Sequence, residues 1–175
     1  MKDIIAQSFG IVGLVIIVSS FQCKKNKNFF LLQGLGSLFF VVNFLLISAY
    51  TGAFFNLTNL VRGLMFSKTD KKVWKLATII GLYTACIAFA IYLIWGQWFM
   101  IGLSVVLYIS LVVMSVLMWL NDGKYIRYFQ VAAQSPIWIV YNIFNFTLGG
   151  ILCESFNMIS TIVSFIRYGK EGFEK

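Results

Sequence analysis

The stretch Ile4-Ile-Ala-Gln-Ser-Phe-Gly-Ile-Val-Gly-Leu-Val-Ile-Ile-Val-Ser-Ser-Phe-Gln22 is almost entirely apolar and stops at the cations of Cys23-Lys24-Lys25-Asn26-Lys27. As a helix it is long enough to cross a hydrocarbon core of about 30 Å, which takes roughly 17 to 25 residues. A removable signal peptide would end at a small-residue cleavage site, and none follows this stretch. We therefore expect a retained membrane span.

Six further apolar runs follow the first, and each is long enough to span a membrane. The seven runs lie near residues 4–22, 29–48, 51–67, 73–94, 98–120, 128–145 and 149–167. With 60% apolar and only 11% charged residues, the chain has too little polar surface for a separate soluble domain. The sequence predicts one all-α membrane protein with seven transmembrane helices.

The positive charges predict an orientation in the lipid bilayer. Every lysine and arginine except Lys2 lies in or beside the gaps after runs one, three, five and seven, and the opposite gaps contain none. Because cytoplasmic loops carry the excess of lysine and arginine, the amino terminus should lie outside and the carboxyl terminus in the cytoplasm. This topology also explains the net charge of +8. No nucleic acid partner is expected, since such a site needs cations clustered on a water-exposed surface.

A shift of 98 residues relates the two ends of the chain. It places Gly52 on Gly150, Asn56 on Glu154 and Asn59 on Asn157, and both glycines belong to tight reversals between runs. Runs one to three and five to seven are therefore interpreted as two copies of one three-helix unit, made parallel by the intervening run four. This 3-1-3 arrangement predicts a first bundle at 1–67, a linker helix at 68–97, and a second bundle with a basic cytoplasmic tail at 98–175.

Run six carries a polar stripe. Its members are Gln130, Gln134, Trp138, Asn142 and Asn145, at steps of four, four, four and three, which places them on one side of a helix. Unpaired amides in hydrocarbon cost several kcal/mol, so this side must face protein or water. It either forms hydrogen bonds between helices or lines a cavity in which the indole stacks on a flat ligand and the amides read its edges.

Runs three and seven present matching polar residues near the middle of the bilayer. Transporters built from repeats place their binding site at the interface between the repeats. The candidate solute-binding residues are therefore Asn56, Asn59, Trp138, Asn142, Glu154 and Asn157.

Glu154 is the only acidic residue within any run, and its charge costs at least about 2.5 kcal/mol there. A proton, a cationic solute or hydrogen bonds from neighbouring helices would each neutralise or stabilise it. Arg62 should differ from Glu154 by roughly 9 Å in depth, so the two pair only if Arg62 reaches outward. We expect Arg62 to extend to the cytoplasmic interface instead. Pro136, the sole proline, is expected to kink run six.

The composition argues against catalysis. There is no histidine, the three cysteines are dispersed, and no glycine lies in a phosphate-loop pattern. Neither a metal, a cofactor nor an enzymatic activity is expected.

Several residues together resemble the YgjV family of bacterial inner membrane proteins, over nearly the whole chain from Gly10 and Gly13 to the basic tail. They are Asn43, Asn59, Arg62, Trp138-Ile-Val-Tyr-Asn142, Gly149-Gly150, Glu154 and Arg167. The family is similar, distantly, to the superfamily of SWEET sugar transporters, PQ-loop proteins, PnuC vitamin-precursor transporters and KDEL receptors. The resemblance implies an inner membrane protein with seven helices in 3-1-3 order and an external amino terminus.

The resemblance also implies site residues. Asparagines on the third and seventh helices of SWEET proteins contact substrate, and Asn59 and Asn157 occupy the matching positions. SWEET proteins rock on prolines in four helices, whereas this chain has only Pro136 and no Pro-Gln dipeptide. The same gating device is therefore not expected.

Two functions are compatible with these patterns. The first is a small-solute transporter or facilitator that alternates access at the interface of the bundles and takes a neutral sugar, nucleoside or vitamin precursor. The second is a non-transporting receptor or interaction protein that uses basic cytoplasmic loops such as Lys71 and Lys72. The lipid bilayer is a partner in both, and a homo-oligomer is compatible with either.

Overall fold

The computed structural model describes residues 2–68 and 71–168, and all regular elements in these residues are helices. They are α1 (Lys2–Ser20), α2 (Asn26–Leu46), α3 (Tyr50–Phe66), α4 (Val73–Leu93), α5 (Trp98–Leu120), α6 (Gly123–Phe129), a π-helical segment (Gln130–Gln134), α7 (Ser135–Phe144) and α8 (Leu148–Tyr168). Since α6, the π segment and α7 are continuous, we call them together the sixth span. The prediction of an all-α chain with seven helices is thus confirmed for the described residues, and the basic tail with Lys170 and Lys175 lies outside them.

The apolar composition of the helices agrees with a membrane protein. Among the described residues, four helices are long and apolar enough to cross a bilayer, namely α2, α4, α5 and residues Leu148–Arg167 of α8. Their outer faces expose large apolar side chains, such as Ile109 and Ile159. Such side chains are stable in lipid, where water is absent.

The sixth span begins earlier than the hydrophobic pattern predicted. The side chain of Asp122 accepts hydrogen bonds from the backbone N–H groups of Lys124 and Tyr125, at 3.2 and 3.3 Å, and so caps the start of α6. An aspartate at this position satisfies backbone donors that have no partner within the helix. The hydrophobic pattern predicts a loop before residue 128. The first turns of α6 instead contain Lys124 and Arg127.

Two helix reversals have the same backbone geometry. Ser48, after α2, and Phe146, after α7, both adopt positive φ angles, of 62° and 53°. The N–H groups of the following residues, Ala49 and Thr147, donate to carbonyls five residues back, at 2.9 and 3.0 Å. These positions are 98 residues apart (146 − 48), the same shift that relates Gly52 to Gly150.

Glycines allow the first three helices to approach one another closely. A methyl group at Gly63 of α3 would lie 2.6 Å from the Phe30 carbonyl oxygen and 2.7 Å from the Cα atom of Gly34 on α2. Gly13 of α1 faces the carbonyl oxygen of Gly36 in the same way. Small residues are the usual means by which helix backbones come into contact in membranes.

The helices contact each other in a closed order around the molecule. α1 packs against α2 and α8, α2 packs against α3, and α8 packs against α7 and the π segment. On the other side, α5 packs against α3 and the sixth span, while α4 packs against α3 and α5. This order leaves the polar faces of α2, α3, the sixth span and α8 directed toward a common interior, where they border a cavity.

A candidate solute site in a polar cavity

The interior holds a cavity of about 50 Å³. A polar cavity of this volume has room for several waters. It is lined by Ile17, Gln33, Ser37, Phe40, Phe44, Asn56, Asn59, Arg62, Gln130, Gln134, Trp138, Asn142, Gly150, Cys153, Glu154 and Asn157.

All six candidate solute-binding residues border this one cavity. They come from three parts of the chain, with Asn56 and Asn59 on α3, Trp138 and Asn142 on α7, and Glu154 and Asn157 on α8. The polar stripe of run six therefore lines a cavity, and several of its members also form hydrogen bonds there. Asn145 is the exception, since it does not border the cavity and its Nδ2 atom donates to the Tyr141 carbonyl at 2.8 Å. That these residues bind a solute stays a prediction.

Glu154 is held by hydrogen bonds from two sides. The hydroxyl of Ser135, on α7, donates to its Oε2 atom at 2.6 Å, and Asn157 Nδ2 donates to the same atom at 3.3 Å. Gln130 Nε2 donates in turn to Ser135 Oγ at 2.9 Å. The carboxyl group thus ends a chain of polar contacts that joins the sixth span to α8.

Trp138 is positioned by both its edge and one of its faces. With the Gln134 amide oriented to satisfy its neighbours, Gln134 accepts from Trp138 Nε1 at 2.9 Å and donates to the Ser110 carbonyl at 3.2 Å. The indole stacks on Phe44 with ring centroids 6.4 Å apart. One face of the indole is therefore covered by α2, which fixes the ring at the cavity wall.

The amide of Asn142 lies against the glycine that follows the second reversal. Thr147 Oγ1 donates to Asn142 Oδ1 at 2.6 Å. A Cβ atom at Gly150 would overlap the Asn142 side chain, so Gly150 must lack one for the amide to keep this place. At the matching position on the other side, Gly52 provides the carbonyl that accepts from Asn56 Nδ2 at 2.9 Å.

Asn59 connects the cavity to α4. The hydroxyl of Tyr83, which is fully buried, donates to Asn59 Oδ1 at 2.5 Å. The amide nitrogen of Asn59 remains the part of this side chain that can serve a ligand as a donor.

The expected position of Arg62 was wrong. The side chain does not extend to the cytoplasmic interface but is 6% exposed and borders the cavity. Its Nη1 atom donates to Ser115 Oγ on α5 at 3.2 Å, and the guanidinium carbon lies 6.0 Å from the centre of the Tyr83 ring. No ion pair joins it to Glu154, which is also a described residue.

The middle of the sixth span departs from regular α-helical pairing. The π segment Gln130–Gln134 is followed directly by Ser135 and Pro136. Proline lacks a backbone N–H, and π-helical turns recur at functional sites within helices. Both irregularities lie beside the cavity, and the buried side chains of Gln130 and Gln134 at the two ends of the π segment line it.

Sequence reasoning missed the contribution of α2. Gln33 and Ser37 border the cavity, and Gln33 Nε2 donates to Ser20 Oγ on α1 at 2.8 Å. With Phe40 and Phe44 they follow helical spacing along one face of α2. This periodic face was the signal that could have found them.

Comparison with known proteins gives one match. The family model Imp-YgjV, described as a bacterial inner membrane protein, matches residues 4–172. Neither the curated proteins nor the solved structures contain a significant match to the chain.

Proposed function

Because the chain belongs to the YgjV family of bacterial inner membrane proteins, we propose that it is a small-solute transporter or facilitator of that membrane. It is a multi-pass protein of the bacterial inner membrane. The observation that carries the proposal is the polar cavity on which α3, α7 and α8 converge with all six candidate residues. Polar cavities inside helical membrane proteins commonly mark solute pathways.

Alternating access between two three-helix bundles is the mechanism we favour. In this 3-1-3 arrangement the first bundle is α1, α2 and α3, the second is α5, the sixth span and α8, and α4 is the linker. Two observations support it: the matching reversals at Ser48 and Phe146, and the equivalent contacts of α1 with α8 and of α5 with α3. The proposal includes the external amino terminus and the distant relation to SWEET, PQ-loop and PnuC proteins.

The solute should be small and polar. The sequence favoured neutral sugars, nucleosides or vitamin precursors, because amides and an indole suit hydroxyl groups and flat rings. The small volume supports a solute of modest size in this conformation. We propose that the protein moves its solute unchanged and is not an enzyme.

The alternative function, a receptor that acts through basic cytoplasmic loops, needs available cations. Lys71 Nζ, however, donates to the Leu120 carbonyl at 2.9 Å and so helps to close the end of α5. This local role gives no particular support to the alternative. A partner whose capture is lost when Lys71 and Lys72 are neutralised, but not when the cavity is altered, would favour it.

The test is binding and uptake by the purified full-length protein. Ligands from panels of sugars, nucleosides, vitamins and amino acids should raise the thermal unfolding temperature, and the same ligands should enter proteoliposomes. Asn157→Ala and Trp138→Ala should abolish both effects.

Gly150→Ala and Gly149→Ala form a matched pair for this test. The first methyl group overlaps the Asn142 side chain and should disturb the cavity, whereas the second makes ordinary contacts with Gln7 Oε1, at 3.4 Å, and Gly10 Cα, at 4.0 Å. Equal loss of uptake in both variants, or no uptake of any solute by the parent protein, would count against transport through this cavity.

A further inference from the structure

Two buried polar atoms, on side chains that border the cavity, have no hydrogen-bond partner among the described residues. They are Arg62 Nε, a donor, and Asn157 Oδ1, an acceptor. The two side chains are 6% and 2% exposed. An unsatisfied buried polar group is destabilising, the more so if it is charged, so a stable protein normally supplies each with a partner.

Arg62 requires an acceptor that carries negative charge. Its guanidinium is ionised at any physiological pH, and within residues 2–68 and 71–168 no described carboxylate contacts it. A buried cation without a counter-ion is costly, whereas a bidentate pair with a carboxylate satisfies both its charge and its donors. The Arg62 side chain borders the cavity, where such a group can reach it.

The Asn157 Oδ1 atom requires a hydrogen-bond donor, and the neighbouring Glu154 carboxyl group favours a donor that is positively charged. The Nδ2 atom of the same amide is already bonded to Glu154 Oε2, so the unpartnered oxygen lies beside a carboxyl group. A carboxylate has about four acceptor sites, of which Ser135 and Asn157 use two on one oxygen. An ammonium group has three donors and one positive charge, which matches these acceptors.

We propose that the solute is a small zwitterion, with a carboxylate bound by Arg62 and an ammonium group bound by Asn157 and Glu154. This inference rests on the proposed transport function and names its substrate class. It replaces the sequence-based preference for neutral solutes, which rested on the amides and the indole and did not include Arg62 in the site.

The dimensions agree with an α-amino acid that has a short side chain. Arg62 lies 12 residues after the first residue of α3 and Asn157 lies 9 after the first residue of α8 (62 − 50 and 157 − 148). In equivalent parallel helices this difference of three residues is about 4.5 Å along the axis. The cavity is large enough for a small solute of this kind.

The experiment measures the affinity of the full-length protein in detergent for four probes. L-alanine has both charges, L-alaninamide lacks the carboxylate, propionate lacks the ammonium group, and glucose has neither. L-alanine should bind at least about tenfold more tightly than each of the other three, because each missing charged hydrogen bond is worth roughly 1.5–3 kcal/mol.

Three variants separate the two ends of the solute. Arg62→Gln should bind L-alanine and L-alaninamide equally, and Arg62→Lys should recover part of the difference. Glu154→Gln should bind L-alanine and propionate equally. Ser155→Ala is the control, since its hydroxyl bonds only to the Ile151 carbonyl, at 2.9 Å, and does not border the cavity.

The possible results have distinct meanings. If glucose or another neutral solute binds and is taken up, while L-alanine is not bound or Arg62→Gln binds it unchanged, the zwitterion is excluded and the transport proposal stands. If neither zwitterions nor neutral solutes bind or move, both proposals fail.

Discussion

Ser135 on α7 and Glu154 on α8 are joined by a hydrogen bond of 2.6 Å, between two helices that the short reversal around Phe146 connects. Ser135 is fully buried and also accepts from Gln130. Removing its hydroxyl leaves both neighbours with one partner fewer. We expect Ser135→Ala to lower the free energy of unfolding by about 1–3 kcal/mol, measured by thermal or denaturant unfolding in detergent.

The double variant tests whether this contact is responsible. Glu154→Gln should cost less in the Ser135→Ala protein than in the parent, with a coupling of about 0.5–3 kcal/mol. Strictly additive effects would show that the two side chains do not depend on each other.

Gly63 and Gly81 provide a matched pair for helix packing. Gly63→Ala should lower the free energy of unfolding by about 1–3 kcal/mol, because the methyl group would press on the backbone of α2 at Phe30 and Gly34. Nothing described lies within 4 Å of a Cβ atom at Gly81 of α4. Gly81→Ala should therefore be neutral or gain about 0.5–1 kcal/mol from its helix propensity. Similar destabilisation by both would contradict the close contact.

Cys23, in the loop between α1 and α2, should react with maleimides more slowly than an ordinary thiol. Burial raises the pKa of the Cys23 thiol, and the positive charge of Arg127 opposes part of this rise. The thiolate is the reactive form, so a raised pKa leaves less of it at neutral pH and moves the increase in rate to higher pH. The measurement is the alkylation rate against pH in a Cys86→Ala, Cys153→Ala background.

The denatured protein is the control for Cys23, because unfolding should give this thiol the alkylation rate of an ordinary cysteine at every pH. Arg127→Gln should slow the reaction of the folded protein further. A rate that already levels off near neutral pH would overturn this prediction.

The predicted orientation can be measured by labelling in a cysteine-free background. Gln97→Cys, in the exposed loop between α4 and α5, should react with a membrane-impermeant maleimide in intact spheroplasts. Lys25 is also exposed, in the loop between α1 and α2 that is predicted to be cytoplasmic, and Lys25→Cys should react only after lysis. The reverse pattern would mean that the positive residues face outward.

The sequence predicted the spans well because hydrophobic length is a local property. The bounds of α5, Trp98–Leu120, are those of the predicted run 98–120. The sixth span was placed less well, since its first turns carry Lys124 and Arg127. Arg127 is nevertheless fully buried, because its guanidinium donates to the carbonyls of Gly123 and Cys23, at 3.0 and 2.8 Å.

The candidate site shows where sequence reasoning stops. Helical spacing gives the face and depth of a side chain, which sufficed to place Asn59, Trp138 and Asn157 at one cavity. Spacing does not give the direction of a long, flexible side chain. Arg62 turns inward because of Ser115 and Tyr83, which lie on other helices and could not be known as its neighbours.

The bare backbone contact between Gly34 and Gly63 also restricts how this molecule can change shape. Where no side chain separates two helices, no change of rotamer can allow one helix to slide along the other. α2 and α3 should consequently move together as one rigid unit. Any motion that exposes Arg62 to solvent has to change other helix contacts, those between α1 and α8 and between α3 and α5.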